Sequence, residues 1–183
     1  MSWKNVKQHY GIVHIVHVDG AVLKIGSPYI NNIIEIDRAG KVIKRYLNGG
    51  NDDLSRYQKE IDADPGVFRA LFEAPDVFAR SIPVFAFVDG QVTEKECEEI
   101  GWPNVTHDGS LMYNNQFFLD KPSAIEYARR SLVSDIQWQQ EHIDKTMERL
   151  QYYQDCLGET KNELLEFEAT HGRAPTPGEQ ESA

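Results

Sequence analysis

Cysteine is scarce in this chain, and long hydrophobic runs are absent. The 183 residues include two cysteines, Cys97 and Cys156, which lack the spacing of a metal site or a redox pair. Cysteines used in this way are typical of reduced thiols in a cytosolic protein. No run of eighteen apolar residues occurs, which argues against a membrane span, and the first residues lack the apolar core of a secretory signal. We therefore expect a cytoplasmic protein that makes no membrane contact.

Positive charge is also in short supply. The chain has 19 Lys and Arg against 29 Asp and Glu, for a net charge of −10. Residues 51–101 carry −7 and residues 123–183 carry −6, whereas residues 1–50 carry +4. Nucleic-acid binders concentrate positive charge on one face, so the balance argues against direct nucleic-acid binding. The basic residues Lys41, Lys44 and Arg45 form either a local patch or the solvated face of a strand.

Hydrophobic residues make up 40 % of the chain and aromatic residues 10 %, which is enough for a folded core. Residues 10–47 alternate in a way that predicts a four-stranded antiparallel meander with a tight turn at Asp19-Gly20. Asn51 or Asp52 begins a helix, Asp64-Pro65 begins a second, and residues 83–88 predict a buried strand. The fold class predicted is α+β, with an amino-terminal meander, a small helical insert, a further strand, a β-hairpin and a long carboxy-terminal helix.

Three shorter elements are predicted from local motifs. Pro75-Asp76 indicates a short turn of helix. The segment Thr93-Glu94-Lys95-Glu96 has the pattern of a capping box and predicts a short helix that ends near Gly101. Two apolar runs flank Asn114-Asn115, which predicts a hairpin between residues 111–113 and 116–118, because asparagine tolerates positive φ.

The most informative pattern is an aliphatic residue at every seventh position of a long proline-free stretch. Ser123-Ala124-Ile125-Glu126 forms a capping box, so we expect a globular domain over residues 1–122, a helix over 123–172 and a disordered tail over 173–183. The repeat is typical of a helix that packs against another helix. Its members, at heptad position d, are Ile136, Ile143, Leu150, Leu157 and Leu164.

The residues at the other heptad positions limit the expected strength of helix pairing and indicate a second contact surface. Position a is mostly polar, with Met147 an exception, so the repeat favours a bundle or a modest self-association over an ideal zipper. Gly158 is a possible break, but the leucines keep their phase across it, which favours a continuous helix. Trp138 and Tyr152 lie at position f, opposite the repeat, and indicate a second contact with the chain's own sheet or a partner. The first turns, with Ile125, Ala128 and Leu132, are expected to lie on the β domain. The interface predicted is Ile136, Trp138, Ile143, Met147, Leu150, Tyr152, Leu157 and Leu164.

Each candidate for chemistry has a simpler structural interpretation. His14 and His17 are three apart on a predicted strand, so their side chains leave opposite faces and cannot share a metal. His107, Asp108 and Ser110 are the residue types of a hydrolytic site but lie within one turn. The loop at residues 26–29 lacks the glycine spacing of a phosphate site. The carboxylates of residues 94–99 are expected to form a solvated acidic surface. We assign no catalytic residue, metal or cofactor.

Residues 99–128 combine Trp102-Pro103, the run Asp-Gly-Ser-Leu-Met-Tyr-Asn-Asn and the capped start of the helix. This segment resembles small accessory proteins encoded by bacteriophages and prophages. The resemblance implies a cytosolic protein that acts on host or phage machinery by binding, and it transfers no residue roles.

Three functional hypotheses follow. The first is a non-enzymatic acidic interaction protein that self-associates through its helix and binds a protein partner, such as a nucleic-acid-binding host complex inhibited by a phage. The second is a structural component of a virion or assembly. The third is a ligand-binding protein or enzyme with a pocket between meander and hairpin, lined by His107, Asp108 or Tyr113.

Overall fold

A computed structural model describes residues 2–172, which form the predicted α+β fold. The predicted disordered tail, residues 173–183, lies outside the described residues. The chain divides into two compact units, Met1–Arg129 and Arg130–Ala183. The elements are α1 (Lys4–His9), β1 (Ile15–Asp19), β2 (Val22–Gly26), β3 (Ile34–Ile36), β4 (Val42–Lys44), α2 (Asp52–Ala63), α3 (Pro65–Glu73), β5 (Ile82–Val88), β6 (Gln91–Cys97), β7 (Asn104–Val105), β8 (Leu111–Met112), β9 (Phe117–Phe118) and α4 (Lys121–His171).

The meander is confirmed, with strands shorter than the alternation predicts. Its four strands lie in the order β1-β2-β3-β4, each antiparallel to the next. The first turn pairs Asp19 with Val22, and Gly20 has a φ of 59°, which glycine adopts without strain. The register shifts between Glu35 and Ile36, opposite β4. This irregularity at the edge of the sheet accounts for the adjacent apolar residues Val42 and Ile43, which interrupt the alternation in the fourth strand.

The helical insert packs on this sheet and forms the main core. The Asn51 side chain accepts a hydrogen bond from the Leu54 N–H, and Asp64 accepts one from the Val67 N–H, each at 3.1 Å, so both predicted caps are confirmed. The helices contribute fully buried side chains to one cluster with the sheet. Its members without exposed area include Tyr57, Ile61, Phe68, Phe72, Val16, Leu23, Ile25, Ile34 and Ile36.

The prediction of a helical turn at Pro75-Asp76 is wrong, and helix α1 was not predicted. Asp76 lies in irregular chain, and its carboxylate accepts hydrogen bonds from the backbone N–H groups of Trp3, Lys4 and Asn5 at 2.8–3.0 Å. A carboxylate near the start of a helix satisfies N–H groups that have no partner within the helix. Asp76 therefore caps a helix more than seventy residues away, which a local motif cannot indicate.

The predicted capping-box helix at residues 93–96 is also wrong, because these residues belong to strand β6. Asp89 and Gly90 both have positive φ, 50° and 77°, which is the backbone of a tight hairpin turn. The turn directs the chain back along β5, and Thr93 pairs with Ala86 while Glu94 pairs with Phe85. Seven paired residues on each strand outweigh the local helical pattern.

The hairpin predicted around Asn114-Asn115 is replaced by two other pairings. Strand β8 pairs with β7 across the turn at residues 107–109, and β9 pairs with β5 in the second sheet. The N–H groups of Gln116 and Phe117 both donate to the Tyr113 carbonyl at 3.0 Å, so the chain turns too tightly for a ladder. Met112 and Phe117 are instead buried in the second core cluster.

Helix α4 begins two residues before the predicted start and is continuous through Gly158. The Asp120 carboxylate accepts hydrogen bonds from the N–H and hydroxyl of Ser123, each at 2.8 Å. Asp120, rather than Ser123, is therefore the capping residue. The helix then runs for 51 residues, as the constant phase of the leucines indicated. Within residues 2–172, no helix combines the length and apolar composition of a membrane span.

Candidate interaction surface

The five d residues of α4 form an aliphatic stripe (Ile136, Ile143, Leu150, Leu157 and Leu164). Each of these side chains is between 52 and 65 % exposed in the single chain. Because the helix is unbroken at Gly158, all five keep the same heptad phase. The stripe is therefore a continuous apolar line that this unit of the chain, residues 130–172, does not cover.

Residues beside the stripe widen it. Met147 lies at position a and is 64 % exposed. Leu132, Tyr153 and Phe167 lie at position g and are also exposed. Tyr153 and Phe167 were missed in the sequence, and Leu132 was assigned to the contact with the β domain. Each of the three lies three or four positions from a stripe residue, the spacing of neighbours on one helical face.

The flanks of the stripe carry almost no charge. Among the e and g positions of residues 132–168, the only ionisable side chains are Asp144 and Tyr153. Asp144 accepts a hydrogen bond from Gln140 at 2.9 Å, one turn before it. The acidic residues of α4 lie mostly on its other faces. If a second copy of the helix packed on the stripe, the flanks of the two helices would therefore bring few like charges together.

The start of α4 uses a different face. Ala124 and Ala128 are buried, and they occupy position f of one heptad and position c of the next. The prediction that the first turns lie on the β domain holds for Ala128, whereas Ile125 and Leu132 are 42 and 46 % exposed. The d positions take no part in this anchor.

A second band runs along positions f and b, away from the stripe. We call it the acidic aromatic band, and its residues are Trp138, Glu141, Lys145, Glu148, Tyr152, Asp155 and Glu159. The spacings of three and four keep these residues on one face. Trp138 and Tyr152 are more than 60 % exposed, and their ring contacts are with His142 and Tyr153 of the same helix. Two large exposed aromatics among carboxylates are typical of a protein contact.

The histidines His14 and His17 have structural partners. His17 is buried, with its Nε2 atom 2.9 Å from the Asn31 carbonyl oxygen, and His14 Nδ1 lies 3.4 Å from the Tyr57 hydroxyl. Burial lowers the pKa of both imidazoles. His14 therefore contacts helix α2 through Tyr57, whereas His17 connects β1 to the loop between β2 and β3.

The residues His107, Asp108 and Ser110 do not form a catalytic triad. The His107 ring stacks on Phe78 with centroids 3.7 Å apart, and its Nδ1 atom lies 3.6 Å from a Glu96 oxygen. The Ser110 hydroxyl instead accepts a hydrogen bond from the Lys95 ammonium at 2.5 Å. The Ser110 hydroxyl is therefore held by Lys95, while His107 stacks on Phe78, so the structure does not bring the serine and histidine of a Ser-His pair together.

Asp108 is held by the same lysine. Desolvation raises the pKa of its carboxyl, but hydrogen bonds from Lys95 and Thr106 outweigh this and lower the pKa to about 2. The Lys95 ammonium is 2.7 Å from Asp108, and the Ser110 N–H donates to the Thr106 hydroxyl at 2.9 Å. These contacts tie β6 to the β7–β8 turn, which is a structural role.

The pocket predicted between meander and hairpin is divided between two cavities. Tyr113 lines a cavity of about 330 Å³ with residues of β1 and β2, among them His17 and Lys24. His107 and Asp108 line a separate cavity of about 440 Å³ beside Lys95. The three side chains named for one site therefore do not converge.

Residues 99–128, which carry the resemblance to phage accessory proteins, form β7, β8, β9 and the first turns of α4. This resemblance stays a prediction. Comparisons of the chain with protein-family models, with curated proteins and with solved structures find no significant match.

Proposed function

We propose that this chain is a non-enzymatic interaction protein that self-associates through the aliphatic stripe. The observation that supports it best is the stripe itself: five half-exposed aliphatic side chains, in one phase, on a continuous helix whose flanking e and g positions carry a single charged residue, Asp144. Exposed apolar surface of this extent is rare on a protein that acts alone. A second copy offers an identical stripe and needs no other molecule.

The expected strength of this contact is modest. Burying the remaining exposed area contributes about 1 kcal/mol per aliphatic side chain, or on the order of 10 kcal/mol for the ten of a pair. Association itself costs about 4–15 kcal/mol. Because the two quantities are of similar size and position a is mostly polar, we expect an association that depends on protein concentration.

The acidic aromatic band is the surface we propose for a different protein. Residues 130–172 carry nine acidic and four basic side chains, so their net charge is −5. An acidic surface accelerates encounter with basic partners, and exposed Trp and Tyr side chains supply the apolar contacts that hold them. A basic nucleic-acid-binding protein fits this chemistry. The resemblance to phage proteins would make that partner a host nuclease or defence complex.

A cytoplasmic location is part of this proposal. Cys97 and Cys156 are both free thiols, one buried and one partly exposed. Unpaired thiols persist in a reducing compartment.

Light scattering of the full chain across a range of concentrations tests self-association directly. We expect a mass that rises above 20.9 kDa toward a multiple of it as concentration increases. A mass of one chain at the highest concentration would contradict the proposal.

Affinity capture from cells tests the second surface, with two variants compared with the wild type. Trp138→Ala with Tyr152→Ala should lose the partner, because these changes remove the aromatic contacts while leaving the stripe intact. Leu150→Glu should still capture the partner, because this change disrupts the stripe and leaves the acidic aromatic band of each single chain intact. The captured protein should be basic and released near 1 M salt, where the Debye length is about 3 Å. If the variant with both band substitutions captures the same partner as the wild type, or if the chain co-purifies with virion-like particles at high salt, the result would favour a structural component of an assembly instead.

A further inference from the structure

The direction of the helix pair follows from the polar residues at heptad position a. In a parallel pair in register, each a residue meets its own copy. Lys161 would then face Lys161, and Glu168 would face Glu168, at two layers of the contact. Like charges held close together are destabilising, and here the two layers are only two turns apart.

An antiparallel pair removes both conflicts, because each a residue then faces a d residue of the second copy. With Met147 opposite Leu150, every layer from Val133 to Leu164 contains at least one stripe residue. The opposed pairs are Val133 with Leu164, Ile136 with Lys161, Gln140 with Leu157, Ile143 with Gln154, and Met147 with Leu150, each occurring twice.

The charged a residues find suitable partners in this register. Lys161 can lay its methylene chain on Ile136 and keep its ammonium in solvent. Glu168 comes opposite Arg129 at the next d position. Arg129 is exposed and its guanidinium lies 3.3 Å from Glu126 of its own helix, so it is available at the surface of the first turns.

The flanking apolar residues favour the same direction. In the antiparallel register g positions face g positions, which brings Leu132 beside Phe167 of the second copy. In a parallel pair g faces e, and Phe167 would lie beside Gly172. The exposed aromatic of the last turns, 60 % exposed in the single chain, gains an aliphatic neighbour only in the antiparallel arrangement.

We propose that two copies of this chain pair their α4 helices antiparallel, with Met147 opposite Leu150 and Arg129 opposite Glu168. This inference rests on the proposed self-association through the aliphatic stripe. It identifies the occupant of the stripe as a second copy in one direction and one register.

Distance measurement between spin labels tests the direction. In full-length chain with Cys156→Ser, a label at Ser134→Cys is carried on an exposed position, while Cys97 is buried. The antiparallel register places Ser134 opposite Glu163, so the two labels lie 29 residues apart along the pair, or about 44 Å. A parallel pair would bring them to the separation of the helix axes, about 10 Å, plus the label arms.

A mixed sample provides the matched control. Chains labelled at Ser134→Cys and chains labelled at Glu163→Cys should give a short distance between unlike copies if the pair is antiparallel, and about 44 Å if it is parallel. A dimer by light scattering with short Ser134 distances would overturn the inference and leave self-association standing. A chain of single mass in the same sample would overturn both.

A charge exchange tests the register. Glu168→Arg places two arginines together at both ends of an antiparallel pair, so we expect dissociation to become about fivefold easier. Adding Arg129→Glu should restore the wild-type constant. In a parallel pair, residue 168 faces its own copy, so Glu168→Arg replaces one like-charged layer by another and should not weaken the pair. If Glu168→Arg leaves the dissociation constant unchanged, and Arg129→Glu then restores nothing, the proposed register is wrong.

Discussion

The two units of the chain contain similar shares of hydrophobic residues, but the first unit buries many of them and residues 130–172 leave theirs exposed or partly exposed. Among residues 2–172, all hydrophobic side chains that are buried lie between Trp3 and Ala128. Residues 130–172 contain 15 hydrophobic residues among 43, a share close to the 40 % of the whole chain, and none of them is buried. Thirteen large side chains of this segment are exposed. Composition alone therefore does not explain where apolar surface is covered.

The difference lies in the number of layers. In residues 2–129, α2 and α3 cover one face of the meander, so sheet and helices bury each other. Within residues 130–172 there is a single helix, and a single helix cannot bury its own face. The first unit completes its core by itself, whereas residues 130–172 leave their apolar side chains exposed.

The largest expected effect sharpens this comparison from the side of the first unit. Phe68 has no exposed area and stacks on Phe72 with centroids 5.6 Å apart. Phe68→Ala should lower the free energy of unfolding by about 3–5 kcal/mol, because it leaves a cavity in the main core. Denaturant titration measures this loss. A loss below about 1 kcal/mol would mean that the core closes around the cavity.

The next effect comes from the second unit and concerns association rather than folding. Leu150→Glu removes a central stripe residue and introduces a charge into the contact of both copies, so we expect dissociation to become at least about a hundredfold easier. Light scattering and sedimentation measure it. Glutamate is a good helix former, so circular dichroism should be unchanged.

Tyr152→Glu is the matched control for that substitution, since Tyr152 is similarly exposed but lies at position f. Its self-association should equal that of the wild type. Equal weakening by both substitutions would show that the contact does not follow the stripe.

A smaller effect concerns Gly158. A Cβ added at this position meets no atom within 4 Å, and the helix is already continuous there. Gly158→Ala should stabilise the helix by about 1 kcal/mol and tighten self-association in proportion. Helical ellipticity and the dissociation constant together measure this. Weaker association would indicate that the partner helix approaches closely at Gly158.

The smallest effect is a pH dependence in the first unit. The pKa of Asp108 is lowered to about 2 in the folded chain, below the ordinary value near 4 for an unfolded aspartate. Its contribution is therefore complete above about pH 4 and is lost as pH falls toward 2. Because the carboxylate is 56 % exposed, we expect a contribution below about 1 kcal/mol. The free energy of unfolding should be measured against pH for the wild type and for Asp108→Asn. The difference between the two proteins should shrink only between about pH 4 and pH 2.

Local sequence predicted those parts of the fold that depend on near neighbours. The caps at Asn51 and Asp64, the turn at Gly20 and the uninterrupted phase of the leucines all involve contacts within a few residues, and all are confirmed. The errors occurred where a distant segment decides. Asp76 caps a helix at the other end of the unit. Residues 93–96 are a second kind of error: they have a helical motif, yet pairing with the neighbouring strand β5 decides their conformation.

The candidate surface divides in the same way. Heptad spacing identified the aliphatic stripe, Met147, Trp138 and Tyr152, because a helix converts sequence spacing into a face without help from other elements. The g residues Tyr153 and Phe167 were missed because positions d, a and f of the repeat were considered and position g was not. The interface role of all these residues stays a prediction.

The amino-acid sequence by itself determined the α+β class, the long helix and the phase of its apolar line, since these follow from periodicity, turn residues and caps that act over a few positions. Only the tertiary structure decided that Lys95 holds Asp108 and Ser110, that Met112 and Phe117 share a core, and that Ala124 and Ala128 anchor the helix. These contacts join residues far apart in the chain or on different elements, and their free energy depends on packing that no local pattern contains.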